Sequence, residues 1–377
     1  MPLLFHPSPA MTLGVEVELQ ILDAKTKDLS PGSPKIFEKL GGELQHIKPE
    51  LMQAMIEINT GICDNVKEVR RDLEEQIVRL EAIGQELGLE FASAGSHPFA
   101  RYSDRIPYPA DRYKYLIDRN RWMARRLMIF GLHIHVGMFD AHHALAMNNA
   151  IMHYLPHLLA ISASSPFWQG KDTGLASSRV TIFEAMPTSG HPCTFQSWSD
   201  FEFFYDSMVA SKSISSIKDI WWDVRPHPEY GTVEIRVCDG LPTVRETIAL
   251  VAFVQCLYAW FNERYRQGEK FTPPAYWILR ENKWKASRYG LEAEIILDVT
   301  GKTGLLREEL KHLLEQMLPI AVTLGCVSEL EDISRMLHHG LGYERQRRVY
   351  EKEGTFLAVA EFNIQEFKRR EPVFWDQ

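Results

Sequence analysis

The chain has 377 residues but only five cysteines, Cys63, Cys193, Cys238, Cys256 and Cys326. They are odd in number and widely spaced, with no CxxC pair, so a reducing cytoplasmic compartment is the natural expectation. Long hydrophobic runs are also missing. The most apolar stretch, Ile248 to Phe261, is too short to span a bilayer as a helix, and it contains Gln255. It is expected to be a central core helix, with no membrane partner. The opening segment MPLLFHPSPA has neither the basic region nor the apolar run of a signal peptide. Basic excess is lacking as well. With 42 Lys and Arg against 50 Asp and Glu, the formal charge is -8, which argues against extended nucleic-acid binding.

Several catalytic signatures are absent too. No HExxH or GxSxG occurs. Gly301-Lys302-Thr303-Gly304 lacks the earlier glycine of a P-loop, because position 296 is Ile296. Low-complexity linkers, repeats and heptads are not found. What is present is ordinary globular material, 45% apolar and 24% charged, enough to bury roughly three-quarters of the extended surface. The expected organisation is a single catalytic domain over 1–377, with a core over about 11–266 and a helical C-terminal portion over about 300–370.

Hydrophobic periodicity predicts the elements. Leu13, Val15, Val17, Leu19 and Ile21 alternate with Gly14, Glu16, Glu18 and Gln20, the pattern of a half-buried strand. Gly131 to Met138 repeats this logic, with His133 and His135 on the polar parity. Asp219–Val224 and Gly231–Val237 read as strands joined by a turn over Pro226–Tyr230, and Glu234 and Arg236 share one face of the second. Helices are expected over Pro49–Ile62, Val66–Leu87, Asp111–Phe130, Ala141–Ser162 divided by Pro156, Phe201–Ser211, Thr243–Arg266, Leu305–Met317, Ser328–His338 and from Gln346 onward. Ser165–Ser199, rich in Gly, Pro, Ser and Thr, reads as an ordered active-site loop region. The class is α+β with antiparallel strands, because three segments have one polar and one apolar face.

Three strands therefore present Glu16/Glu18, His133/His135 and Glu234/Arg236 on open faces. The helix expected over Pro49–Ile62 adds Glu50, Gln53 and Glu57 along one stripe. So many carboxylates in one cleft need cations, and a carboxylate-dominated set favours Mg²⁺ or Mn²⁺. Arg236, two residues from Glu234, suggests an anion such as a polyphosphate bridging metal and guanidinium. Arg179, Lys171 and Arg245 are further candidates for holding phosphate or carboxylate groups. Taken singly, a strand ExE is a solvated sheet face and a helical acid stripe is a wet side. The same residues around a metal-activated water would also suit an amide hydrolase needing no nucleotide. A non-enzymatic scaffold is the blander alternative.

The motifs Gly14-Val15-Glu16-Val17-Glu18, Gly131-Leu132-His133-Ile134-His135-Val136-Gly137, Asp172-Thr173-Gly174-Leu175-Ala176-Ser177-Ser178-Arg179 and Gly231-Thr232-Val233-Glu234-Ile235-Arg236 occur in that order. Together they resemble the type 2 glutamate–cysteine ligase family, especially its bacterial carboxylate–amine ligase branch, over about residues 11–365. The resemblance implies a glutamine synthetase-like fold, a curved antiparallel sheet flanked by helices with ATP and metals on its concave side. It implies metal ligation by Glu16, Glu18, Glu50, Glu57, His135 and Glu234, and a nucleotide-side role for His135, with His133 its neighbour. It places Arg236 beside the transferring phosphate and Arg179 near substrate. The reaction implied is ATP-dependent amide formation through an acyl phosphate, between glutamate and cysteine or another amine. Small-molecule amino acid and amine substrates and a homo-oligomer, most simply a dimer, go with it.

Overall fold

A computed structural model describes residues 3–42 and 45–373. Its centre is a seven-stranded antiparallel sheet of β1 (Leu13–Asp23), β2 (Ile47–Pro49), β3 (Met55–Asn59), β4 (Leu89–Ala92), β5 (Gly131–Gly137), β10 (Val224–His227) and β11 (Thr232–Asp239). Six strands run in the order β10-β11-β5-β1-β3-β2, and β4 pairs with the far end of β1. Four short strands lie between β5 and β10: β6 (Phe167–Trp168) with β7 (Lys171–Asp172), and β8 (Ser189–Gly190) with β9 (Trp221–Trp222). A last hairpin joins β12 (Glu294–Ile296) and β13 (Thr303–Leu305).

The alternation in β1 sends Leu13, Val15, Val17 and Leu19 into the main core, along with Ile56, Ile58, Leu132, Ile134, Val233 and Ile235 from its neighbours. Helices α2 (Val66–Leu87), α6 (Leu155–Ser162) and α9 (Val244–Arg266) pack against these strands. Each start has a local cause. Asn65 accepts from the amides of Lys67 and Glu68 to open α2, Thr243 accepts from Glu246 N to open α9, and Pro156 sits in the first turn of α6. Gly88 closes α2 with φ +68°. Among the described residues α9 alone is long and apolar enough to cross a membrane, and it lies buried inside the fold.

Around this centre are α1 (Ser33–Lys39), α3 (Asp111–Asn120), α4 (Trp122–Arg125), α5 (Ala141–Ile151), α7 (Arg179–Phe183), α8 (Trp198–Ala210) and α10 (Tyr276–Tyr289). The C-terminal part is α11 (Leu306–Leu324), α12 (Val327–His339), α13 (Gly342–Glu353) and α14 (Phe356–Arg369). Helices α11 and α12 pack on α9, and α14 covers β4.

Three expectations are corrected. Residues 49–62 do not form a helix; they hold the end of β2, a turn and β3, because this segment pairs on both sides with β1 and β2. Of the strand expected over Asp219–Val224, Trp221–Trp222 forms β9, and the strand that pairs with β11 lies instead at Val224–His227, with Pro226 inside it. An edge strand tolerates that proline, since one side of its ladder is unpaired. The helix over Asp111–Phe130 breaks at Arg121, whose φ is +51°, into α3 and α4.

Candidate active site

The face of the sheet opposite the main core carries a continuous polar band, set by strand register. Arg225 stands opposite Glu234, Glu234 opposite His135, His133 opposite Glu16, and Glu16 opposite Asn59. One rung along, Glu18 stands opposite Glu57, and Glu57 opposite Lys48. The strand reading of Glu16/Glu18, His133/His135 and Glu234/Arg236 therefore converges on one cavity of about 310 Å³. Leu127, Ile129, Phe183 and Trp221 contribute apolar lining. A second cavity of about 610 Å³ adjoins it, with Glu16, Lys48, His135 and Tyr230 lining both.

Charge is segregated along the band. Arg225 donates from Nε to Glu234 Oε2 at 2.8 Å, and Arg236 donates to Glu234 Oε1. Burial works to raise the Glu234 carboxyl, but Arg225, Arg236 and His135 together hold it well below the usual range. The Glu16 carboxyl is likewise held well below its ordinary value. Burial opposes this, and the hydrogen bond with His133 together with the charges of His133 and His135 outweighs it. On the other side the acids crowd one another. Burial, then Glu18, pushes the Glu50 carboxyl up to about 8, and burial, then Glu16 and Glu50, pushes Glu57 well above its usual value.

These positions fit a divalent cation. Ligand atoms of Glu16, His133 and Glu234 lie within 4.8 Å of one another, and so do those of Glu18, Glu57 and His133. His133 Nε2 and His135 Nε2 are buried and have no hydrogen-bond partner. Each looks onto a carboxylate at non-bonding range, 3.9 Å from Glu18 and 3.7 Å from Glu16 respectively. A buried nitrogen left without a partner costs about 1–3 kcal/mol, which a metal ion or ligand would relieve. Carboxylate oxygens with a minority of imidazole nitrogens suit Mg²⁺ or Mn²⁺.

Of the sequence-read candidates, Glu16, Glu18, Glu50, Glu57, His135, Arg179, Glu234 and Arg236 all line the smaller cavity. Glu57 reaches it from strand β3, not a helix, and Glu50 from the turn after β2, where its carboxylate accepts from Leu51 N at 2.8 Å. His133, read from the sequence as a neighbour of His135, belongs to both candidate ligand sets. Arg179, 2% exposed, opens α7; its guanidinium donates to the carbonyls of Arg236 and Val237 at 3.2 and 3.4 Å, and its Nε has no partner. Gly131 makes room for it, since a Cβ there would collide with the Arg179 guanidinium. Two candidates fall away. Lys171 is exposed in the β6–β7 hairpin and lines neither cavity. Arg245 lies on α9 and bonds Asp332 and Glu371, outside both cavities.

Sequence reading missed Arg225, His227, Asn59 and Tyr113. Arg225 is 4% exposed and also donates to the Ile217 carbonyl at 2.6 Å; its signal was the polar parity of a strand disguised by Pro226. His227 stacks on Tyr230 with ring centroids 4.2 Å apart, beside His135. Asn59 Nδ2 donates to Glu57 at 2.9 Å, and the Tyr113 hydroxyl donates to the Pro49 carbonyl at 2.6 Å, steadying the turn that carries Glu50.

Comparison with known proteins gives the family and the fold. Residues 12–361 match the description of Glutamate-cysteine ligase family 2. A protein from Bdellovibrio bacteriovorus named "Putative glutamate--cysteine ligase 2" is 48% identical over 361 residues, 96% of this chain and 95% of its own. A namesake from Thermobifida fusca is 44% identical over 373 residues, 98% of this chain and 94% of its own. Among solved structures, the glutamate–cysteine ligase of Francisella tularensis in complex with AMP superposes with a TM-score of 0.71 at 12% identity, covering 98% of this chain and 91% of that one. A bifunctional glutathione synthetase from Pasteurella multocida gives 0.64 at 16% identity, covering 95% and 51%. At these identities the two structures speak for the fold: an antiparallel sheet flanked by helices. The chain belongs to glutamate–cysteine ligase family 2 and is an ATP-dependent carboxylate–amine ligase.

Proposed function

We propose that the chain uses ATP to convert the side-chain carboxylate of glutamate to an acyl phosphate and joins it to an amine, cysteine or another amine in its place. The observation that carries this reading is the register-aligned band of Glu16, Glu18, Glu57 and Glu234, ending on Arg236. Glu16, Glu18, Glu50, Glu57, His133, His135 and Glu234 would hold Mg²⁺ or Mn²⁺, which neutralises phosphate charge and aligns the acceptor carboxylate.

The chain's own groups do the rest. A carboxylate is a poor electrophile, so the site must bring two anions together and stabilise the charge that develops between them. Arg236 is the donor for that charge, and Glu234, gripped from its far side by Arg225, keeps the Arg236 guanidinium aimed. The unpartnered Nε of Arg179 is available to an anion in the same cavity. His135 and Tyr230 stand where the two cavities meet, which suits nucleotide in the larger and amino acids in the smaller. Leu127, Ile129, Phe183 and Trp221 exclude water that would hydrolyse the acyl phosphate. No protein nucleophile is required.

The same reading takes the chain as one catalytic unit, cytoplasmic, working as a homodimer on small molecules and touching neither nucleic acid nor membrane. Light scattering of the purified protein tests the dimer. The reaction is tested by incubating the protein with ATP, Mg²⁺, glutamate and a panel of amines led by cysteine, while following ADP and product mass. ADP formed only when both substrates are present, with a condensed product, is the expected result. The absence of nucleotide turnover with any carboxylate and amine in the panel would sink the reading.

A further inference from the structure

Arg236 does not sit on a regular strand. From Ile235, opposite Ile134, the register jumps to Cys238, opposite Leu132, so Arg236 and Val237 together face the single residue His133. Such a bulge leaves main-chain groups without ladder partners and re-aims a side chain. Here both displaced amides, of Arg236 and Val237, donate to one carbonyl, that of Asp223, at 2.8 and 3.1 Å. Both displaced carbonyls accept from Arg179. Two residues thus grip the bulge from either side.

Each grip leads to the same distant atom. The two carboxylate oxygens of Asp223 accept from Lys283 Nζ at 2.8 and 2.7 Å. That ammonium also bonds Glu184, which directly follows α7, the helix that Arg179 opens. Asp223 is 2% exposed and Lys283 4%, so both are buried. His191 Nδ1, 3.6 Å from Asp223, and the buried Cys238 thiol are further titratable groups facing it. Lys283 comes from α10 and lines neither cavity of the active site. A buried charge pair that served only the packing of α10 would have no reason to converge on both holders of one bulge.

We propose that Lys283 is a positioning residue for Arg236: through Asp223 and Glu184 it fixes the β11 bulge that aims the guanidinium at the transferring phosphoryl group. This rests on the ligase reading above. Displacing a catalytic donor by about 1 Å costs on the order of a hundredfold in rate, so the effect belongs in kcat.

The test uses the full chain with ATP, Mg²⁺, glutamate and hydroxylamine, a small nucleophile that traps an acyl phosphate as hydroxamate whatever the natural amine. Lys283→Met is expected to lower kcat by about 30-fold or more with KM for ATP and glutamate within about threefold. Lys283→Arg, which keeps the charge, recovers to within about fivefold of the parent. Asp223→Asn/Lys283→Met leaves no buried charge unpaired, so its melting temperature returns toward the parent while kcat stays low. Recovery of kcat in step with the melting temperature in that double variant would overturn the proposal, as would Lys283→Met turning over within about threefold of the parent. If the parent forms no hydroxamate, the ligase reading itself fails and this inference falls with it, an outcome separate from variants matching an active parent.

Discussion

The Arg345 cluster and the polar band of the sheet are both buried clusters of opposite charge, yet they are arranged in opposite ways. Arg345 is fully buried between Glu246 and Glu366 and donates from Nη2 to each at 2.9 and 3.0 Å; Thr243 Oγ1 donates to Glu246 and Val373 N to Glu366. Cation and acids interleave, and the cluster ties α9, α13 and α14 together. On the sheet the guanidinium groups of Arg225 and Arg236 gather at Glu234, while Glu18, Glu50 and Glu57 crowd together, with Lys48 3.9 Å from Glu57 and the Arg236 charge offsetting only part of the burial and repulsion at Glu50. Interleaved charge holds a structure closed. Segregated charge stores a demand that a ligand must meet.

The comparison breaks most visibly at its ends. Glu57→Gln and Arg236→Ala should each lower turnover by about a thousandfold or more. Glu57→Gln should leave the metal-free melting temperature unchanged or raised, because it removes one of several repelling carboxylates. Arg345→Met should do the reverse, costing about 3–5 kcal/mol of stability by stranding two buried acids, with kcat per folded molecule preserved. Denaturant unfolding and steady-state rates measured on the same preparations decide both. If Glu57→Gln melts low and Arg345→Met loses kcat, the distinction is wrong.

A smaller effect sharpens it through pH. The Glu50 carboxyl titrates near 8 in the folded chain against a usual 4.5, so between those values the folded state binds more protons than the unfolded. The stabilising contribution of its protonated form is complete below about 4.5 and is lost as pH rises toward 8. Metal-free protein should therefore melt progressively lower from pH 5 to 8, and Mg²⁺ or Mn²⁺ should flatten that slope. A thermal melt series with and without metal checks it. The smallest effect is at Lys171, exposed and outside both cavities, where Lys171→Ala should change kcat/KM by less than about twofold.

How far the molecule could be read from its sequence depended on whether its faces differ. In β1 one parity is apolar and the other carries Glu16 and Glu18, so strand, core face and site face were all plain. In β3 every residue from Met55 to Asn59 is buried, and with Leu51, Met55, Ile58 and Ile62 spaced like a helical stripe, the alternation that marks a strand was hidden. Arg225 was lost because Pro226 reads as a turn, and only the place of β10 at the sheet edge permits it. Helix α10 went unseen because both its faces are mixed: Asn282, Lys283 and Ser287 are buried beside Ile278, Leu279 and Ala286, while Tyr276, Trp277 and Trp284 are about half exposed. Lys171 and Arg245 looked equal to Arg179 as cations. The burial of Arg179 behind Gly131 and its place at the cavity separate it from them.

The pairing of Glu16 with His133 and Glu18 with Glu57 has a consequence for how this protein can change over generations. Every candidate site residue on these strands is flanked by residues facing the core, so inserting one residue in β1 would turn Glu16 and Glu18 inward and Val15 and Val17 outward at a stroke. Core and site are written on the same strands, one letter apart. Substitutions can tune this enzyme, and loops can lengthen around it, but in these strands the reading frame of the sheet is not free to drift.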